Sequence, residues 1–208
     1  MTPHGIWCPK GEQLHHCLID PLKLAVVLAN RHGDGGSLDR VHVFRDQPIS
    51  RHDRVAAIRS DRQAATWVKD DRVTVQRRPL RYPKNYGAPD CTERPSEKGI
   101  DVSLAIALVA AAIRGEFDVA IVVSHDTDLI PALNLAAEQG HRIEVAAWGT
   151  THRLNAPGIA ACHQLSEAEF RSVRDHTDYS DTSGRAARRD LIDPADATRP
   201  KQAGELSN

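Results

Sequence analysis

The chain has 208 residues, 26% of them charged and 40% hydrophobic, which is enough to bury a core and fits one domain plus an extension. A net charge of −1 with the eleven His neutral excludes a globally basic nucleic-acid binder, so any such contact must come from local charge. No apolar run of roughly 18 residues escapes interruption by charge, so no membrane span is expected. The four Cys (Cys8, Cys17, Cys91, Cys162) form no CxxC pair and follow no signal-peptide pattern, which predicts free thiols in a reducing cytoplasm.

Residues 1–19 read as an irregular N-terminal segment, mixing Pro, Gly, His and Cys without a period. Cys8, His15, His16 and Cys17 offer zinc-type donors there, at a spacing that matches no standard pattern. A helix is predicted from Asp20, with Asp20 as N-cap, Pro21 at the first helical position and Gly33-Asp34-Gly35-Gly36 as its stop. Val41–Phe44 is a short strand. A charged helix over about 50–70 follows, with Val55, Ile58, Ala65 and Val68 as its expected inner face, then a strand at Val73–Gln76. Residues 79–97, with four Pro, read as an irregular loop.

Ile100–Ile113 is apolar nearly all round and predicts an interior helix. Val119–Val123 is a third strand. A helix over about 129–139 follows, with Pro131 in its first turn and Gly140 just past its end. Ile143–Trp148 is a fourth strand, residues 160–165 an edge strand and 166–174 a short helix. Helix–strand alternation of this kind predicts a three-layer α/β domain around a parallel sheet, spanning 20–175. Residues 176–208, nearly devoid of large apolar side chains, are expected as a disordered polar tail.

The strand 119–123 runs directly into Ser124-His125-Asp126-Thr127-Asp128. In an open α/β sheet ligands bind beyond the carboxyl ends of the strands, and two carboxylates delivered there suit a hard divalent cation such as Mg²⁺ or Mn²⁺. The competing reading is a helix cap, which needs only one of the two Asp. A further carboxylate, Asp101, leads into the apolar helix in Glu97-Lys98-Gly99-Ile100-Asp101-Val102, where it either matches the helix dipole or belongs to a site. Ser124, His125 and Asp126 carry the letters of a hydrolase triad, but consecutive residues cannot meet in triad geometry.

Together K-G-x-D-V, an apolar helix, Gly115-Glu116-Phe117-Asp118, an apolar strand, Ser124-x-Asp126-x-Asp128, a helix ending at Gly140 and the strand Arg142–Trp148 resemble the NYN family of PIN-like nucleases. The resemblance is dense from Glu97 to Trp148 and weaker from Asp20 to Val75. It implies a PIN-like, Rossmann-like fold and a metal-dependent ribonuclease, with Asp101, Asp126 and Asp128 in the acidic cluster that holds Mg²⁺ or Mn²⁺. Clustered carboxylates repel, and a dication relieves that repulsion; it also lowers the pKa of a bound water. Ser124 would orient a carboxylate or that water. The family's usual opening strand, ending in Asp, is not visible before Asp20. The expectation is therefore a domain without that first strand, and no catalytic role is carried onto Asp20.

Between Arg72 and Pro89 there is no acidic residue, while Arg77, Arg78, Arg81 and Lys84 alternate with Tyr82 and Tyr86. With Lys98, these basic groups are the candidate contacts for single-stranded RNA, the aromatics being able to stack bases. The leading expectation is a Mg²⁺- or Mn²⁺-dependent endoribonuclease. The alternative is a weakened NYN-like module that binds RNA or a protein partner without cleavage. A metal-dependent phosphatase or Toprim-like fold using the same D-x-D ranks third, and a homodimer remains open.

Overall fold

The computed structural model describes residues 18–149 and 154–180. Helix α1 is Pro21–Ala29, extended by a 3₁₀ segment Asn30–Gly35. Asp20 is its N-cap, its Oδ1 accepting the backbone N–H groups of Leu22 (2.9 Å) and Lys23 (3.0 Å). Strand β1 (Val41–Gln47), helix α2 (Arg54–Trp67) and strand β2 (Val73–Pro79) form a first parallel βαβ unit, in register Val41–Val73 through Gln47–Pro79. Helix α3 (Ile100–Arg114) leads to β3 (Val119–Val123), followed by a 3₁₀ turn and α4 (Ile130–Glu138), β4 (Arg142–Trp148), β5 (Ala161–Leu165) and α5 (Glu167–Ser172). Strands β3, β4 and β5 are parallel neighbours in that order.

Every predicted strand is present and every pairing is parallel, as an α/β layering requires. The strands form two sheets, β1–β2 and β3–β4–β5, and among the described residues no strand joins β1 to β3. The three-layer arrangement is clearest around β4. Its Ile143 and Val145 pack with Ala112, Leu133 and Ala136 of α3 and α4, whereas Ala146 and Trp148 meet Leu24 and Leu28 of α1 and Phe170 of α5. A strand flanked on both edges and both faces is largely apolar, Glu144 being the exception here. Ile143, Val145 and Ala146 are accordingly fully buried.

Three expectations change. Asp53 caps α2 by accepting the Ala56 N–H (2.9 Å), so that helix starts later than the pattern suggested. Its inner face is Ala57, Ser60, Gln63 and Ala64, while Val55 and Val68 lie outside, 57% and 46% exposed. The polar Gln63 is turned inward because Arg45 of β1 donates to its Oε1. Helix α3 is not enclosed on all sides. It packs on α4 and β1 and leaves Val102, Ile106 and Ile113, one stripe at helical spacing, 60–65% exposed. Past residue 175, Tyr179 is buried and its hydroxyl donates to Asp175 Oδ2 (2.6 Å), a carboxylate that also accepts from Trp67 Nε1 (3.1 Å). Buried contacts thus continue to Tyr179. The rest of the predicted tail and the segment 1–17, with its Cys and His donors, lie outside the described residues.

Candidate functional site

Parallel strands of one sheet end at the same edge, and the D-x-D follows β3 at that end. At the end of β3 the chain folds into two successive side-chain-capped turns. Ser124 Oγ accepts the N–H of Asp126 (3.1 Å), and Asp126 Oδ1 accepts the N–H of Asp128 (2.9 Å). Asp126 is therefore the N-cap of the Thr127–Leu129 turn that opens α4, as the capping reading expects. Its Oδ2 and the whole carboxylate of exposed Asp128 remain outside that cap. Leu129 and Leu133, 2% and 0% exposed, anchor the turn in the core and hold the D-x-D in place.

Asp101 occupies the first turn of α3 and is exposed. The turn before it depends on Gly99, whose φ of +77° is favoured only for residues without a Cβ. Arg78, at the end of β2, ties this turn down: its Nε donates to the Lys98 carbonyl (3.2 Å) and its Nη1 to Ser103 Oγ (3.4 Å). A Cβ on Gly99 would lie 3.3 Å from Arg78 Nε, so the lysine–glycine turn and the arginine fit each other closely.

Two acidic residues not singled out from sequence belong to the same neighbourhood. Asp46 stands near the carboxyl end of β1, and Glu97 precedes the Lys98–Gly99 turn. Partial desolvation raises the pKa of Glu97, and the negative charges of Asp46 and Asp101 add to it against the opposing pull of Arg45. Arg45 itself is half-buried, its guanidinium 5.4 Å from the centre of the Trp67 ring; burial lowers its pKa against the supporting charge of Asp46. The rule that found Asp126, a carboxylate at the end of an apolar strand, also points to Asp46. The strand runs on past Phe44 to Gln47, which puts Asp46 just before its end.

Beside Asp46 and Glu97 opens a cleft of about 370 Å³, walled by Asp53, Tyr82, Tyr86 and Arg94. Tyr82 stacks on His52 (ring centres 4.3 Å apart) and meets Tyr86 edge-on at 4.7 Å. The two tyrosines thus pack first on each other and on His52. Of the basic candidates, Arg77 is paired with Asp61 and Arg78 is engaged as above, while Arg81, Lys84 and Lys98 are exposed. Arg81 is held by a backbone bridge to Ser96, which closes the 79–97 loop at its base.

Asp101, Asp126 and Asp128 offer only oxygen donors, the type that Mg²⁺ and Mn²⁺ prefer. Among the described residues, the three donors that converge within 4.8 Å of one another are elsewhere: His32, Glu144 and His163. Sequence reasoning missed this group, since its members are far apart in the chain and match no motif.

A parallel α/β domain with acidic residues along its carboxyl edge is the architecture of a PIN-like nuclease. The NYN domain family model matches residues 15–169, and the chain belongs to that family, within the PIN-like nuclease superfamily. Searches of curated proteins and of solved structures returned no match. Among the described residues no helix is long and apolar enough to cross a membrane.

Proposed function

We propose that this NYN domain is a metal-dependent endoribonuclease acting on single-stranded or structured RNA. What supports the reading is the nuclease family of the chain, with Asp126 and Asp128 in the turn that follows β3 and Asp101 in the first turn of α3. Asp101, Asp126 and Asp128 would hold Mg²⁺ or Mn²⁺, and the ion when bound would neutralise charge on the scissile phosphate and make water a better nucleophile. Ser124 fixes the backbone of Asp126 and so orients its carboxylate. Asp46 and Glu97 extend the negative edge. Arg81, Lys84 and Lys98 are exposed cations that would draw the RNA backbone toward it, and Arg77 and Arg78 shape the adjoining strand end. The free thiols Cys91 and Cys162 fit a reducing, cytoplasmic setting.

A second reading is a module that binds RNA or a protein partner without cleaving, either alone or as a homodimer. It is favoured by the wider spread of the three Asp and by the use of Asp126 Oδ1 as a cap. The two readings separate in one assay: cleavage of a single-stranded RNA with Mn²⁺, with Mg²⁺ and with chelator, by wild type and Asp126→Asn. Metal-dependent cleavage lost in the variant supports the nuclease. RNA binding without cleavage supports the second reading, and equal cleavage by both proteins removes Asp126 from the mechanism.

A further inference from the structure

Three metal-type donors meet beneath α1, on the opposite face of β4 from α3 and α4. Glu144 of β4 is fully buried, and its Oε2 lies 2.6 Å from His163 Nε2 and 3.0 Å from His32 Nε2. The sheet register explains the meeting. His163 of β5 pairs with Ala146, and Glu144 stands two residues before Ala146, so both side chains emerge on the α1 face. His32 descends onto them from the 3₁₀ segment that continues α1.

A carboxylate taken out of water costs several kcal/mol unless fully matched. One oxygen of Glu144 is matched by Arg142, whose Nε reaches Oε1. The other faces both imidazoles, but only His163 hydrogen-bonds to it. His32 Nε2 is buried and makes no hydrogen bond of acceptable angle, although the carboxylate oxygen is 3.0 Å away. A ring nitrogen aimed at an oxygen without a proton suitably placed between them is the arrangement a shared cation satisfies.

We infer that His32, Glu144 and His163 bind one transition-metal dication of the zinc class, separate from any metal at the acidic edge. Two imidazoles and one carboxylate are borderline donors that select Zn²⁺ or Co²⁺ over the hard Mg²⁺. Donors about 2.0–2.2 Å from a tetrahedral ion sit roughly 3.4 Å apart, so the His32–Glu144 pair, at 3.0 Å, need open only slightly and the His163–Glu144 pair, at 2.6 Å, by about 0.8 Å. Arg142 on Oε1 supplies the outer partner that orients a ligating carboxylate. The ion would clamp the end of α1 to β4 and β5, leaving a fourth position for water.

The test uses the full chain, freed of metal with a chelator and titrated with ZnCl₂ and CoCl₂. Wild type is expected to bind one ion per chain, with a raised melting temperature and visible ligand-field bands for Co²⁺. X-ray absorption of the zinc-loaded protein should show nitrogen and oxygen neighbours, two of them imidazoles. His32→Gln, at the partly exposed ligand, should weaken binding by more than about 100-fold. Cys8→Ser/Cys17→Ser and Asp126→Asn should bind as wild type does. The proposal is overturned by absence of stoichiometric binding to wild type, by a sulfur shell in its absorption spectrum, or by undiminished binding in a folded His32→Gln protein. None of these outcomes depends on whether the chain cleaves RNA.

Discussion

The acidic edge and the cluster beneath α1 place carboxylates in opposite surroundings. Asp101 and Asp128 are exposed at the ends of elements, where ionised carboxylates cost little and stay open to solvent, a hard cation or a polymer. Glu144 lies in mid-strand with no exposure, where its charge must be matched from within. Burial pushes its pKa up, but the hydrogen bonds from His163 and Arg142 outweigh that and hold it below the ordinary glutamate range. The lesson is that an exposed site can be assembled from short local motifs, while a buried one demands partners from several elements at once.

The largest expected effect sharpens the distinction at the edge. Asp126→Asn retains an oxygen to cap the Asp128 N–H but loses the charge, so RNA cleavage should fall by about 100-fold or more with the melting temperature nearly unchanged. Gel-resolved cleavage beside a thermal melt checks both halves. A parallel loss of fold would instead make Asp126 a structural residue.

Next in size is a core substitution on the other side. Phe170, 1% exposed, meets the Trp148 ring edge-on at 5.8 Å and fills the floor of the α1 face. Phe170→Ala should cost about 3–5 kcal/mol in urea unfolding. It should also weaken zinc binding while leaving cleavage per folded molecule intact. Equal loss of both activities would break the comparison, showing the two regions to be mechanically one.

A smaller effect is expected at the N-cap that aims α1, and with it the segment carrying His32. Asp20→Ala should destabilise by about 1 kcal/mol and Asp20→Asn by much less, read from urea midpoints.

The smallest is a pH dependence at the buried contact between Asp175 and Tyr179. Burial works to raise the pKa of Asp175, but hydrogen bonds from Tyr179, Thr177 and Trp67 outweigh it and leave it lowered. Its contribution is therefore present above the ordinary aspartate pKa and is lost as pH falls through the depressed value. Tyr179, desolvated and bonded to Asp175, is pushed up to about 12. Its share is complete below about pH 10 and is lost as pH rises toward 12. Tyr179→Phe should flatten the alkaline limb of the melting-temperature profile and reduce the acid one. An unchanged profile would remove this pair from the account.

Much of the fold was legible because local signals are strong where neighbours matter least. The caps at Asp20 and Gly140, the strand Val119–Val123 and the parallel alternation follow from side-chain chemistry within a few residues. Hydrophobicity alone turns Val55 and Val68 of α2 inward, yet both lie outside. The helix instead turns Ser60 and Gln63 toward the sheet, Gln63 meeting the half-buried Arg45. The apolar composition of α3 predicts an enclosed helix, but Val102, Ile106 and Ile113 are exposed. Composition does not say how many neighbours will cover a helix, and the sheet beneath it is split.

By itself the sequence determined the parallel α/β class, the family and the D-x-D that ends β3, since each is written in contiguous residues. Tertiary structure decided the rest. It joined Arg78 to the turn before Asp101 and drew Asp46 and Glu97 into the acidic edge. It also brought His32, Glu144 and His163 together from three elements. The physical reason is register and crossover: which face a strand residue takes, and what lands upon it, depend on pairings between segments that no local pattern encodes.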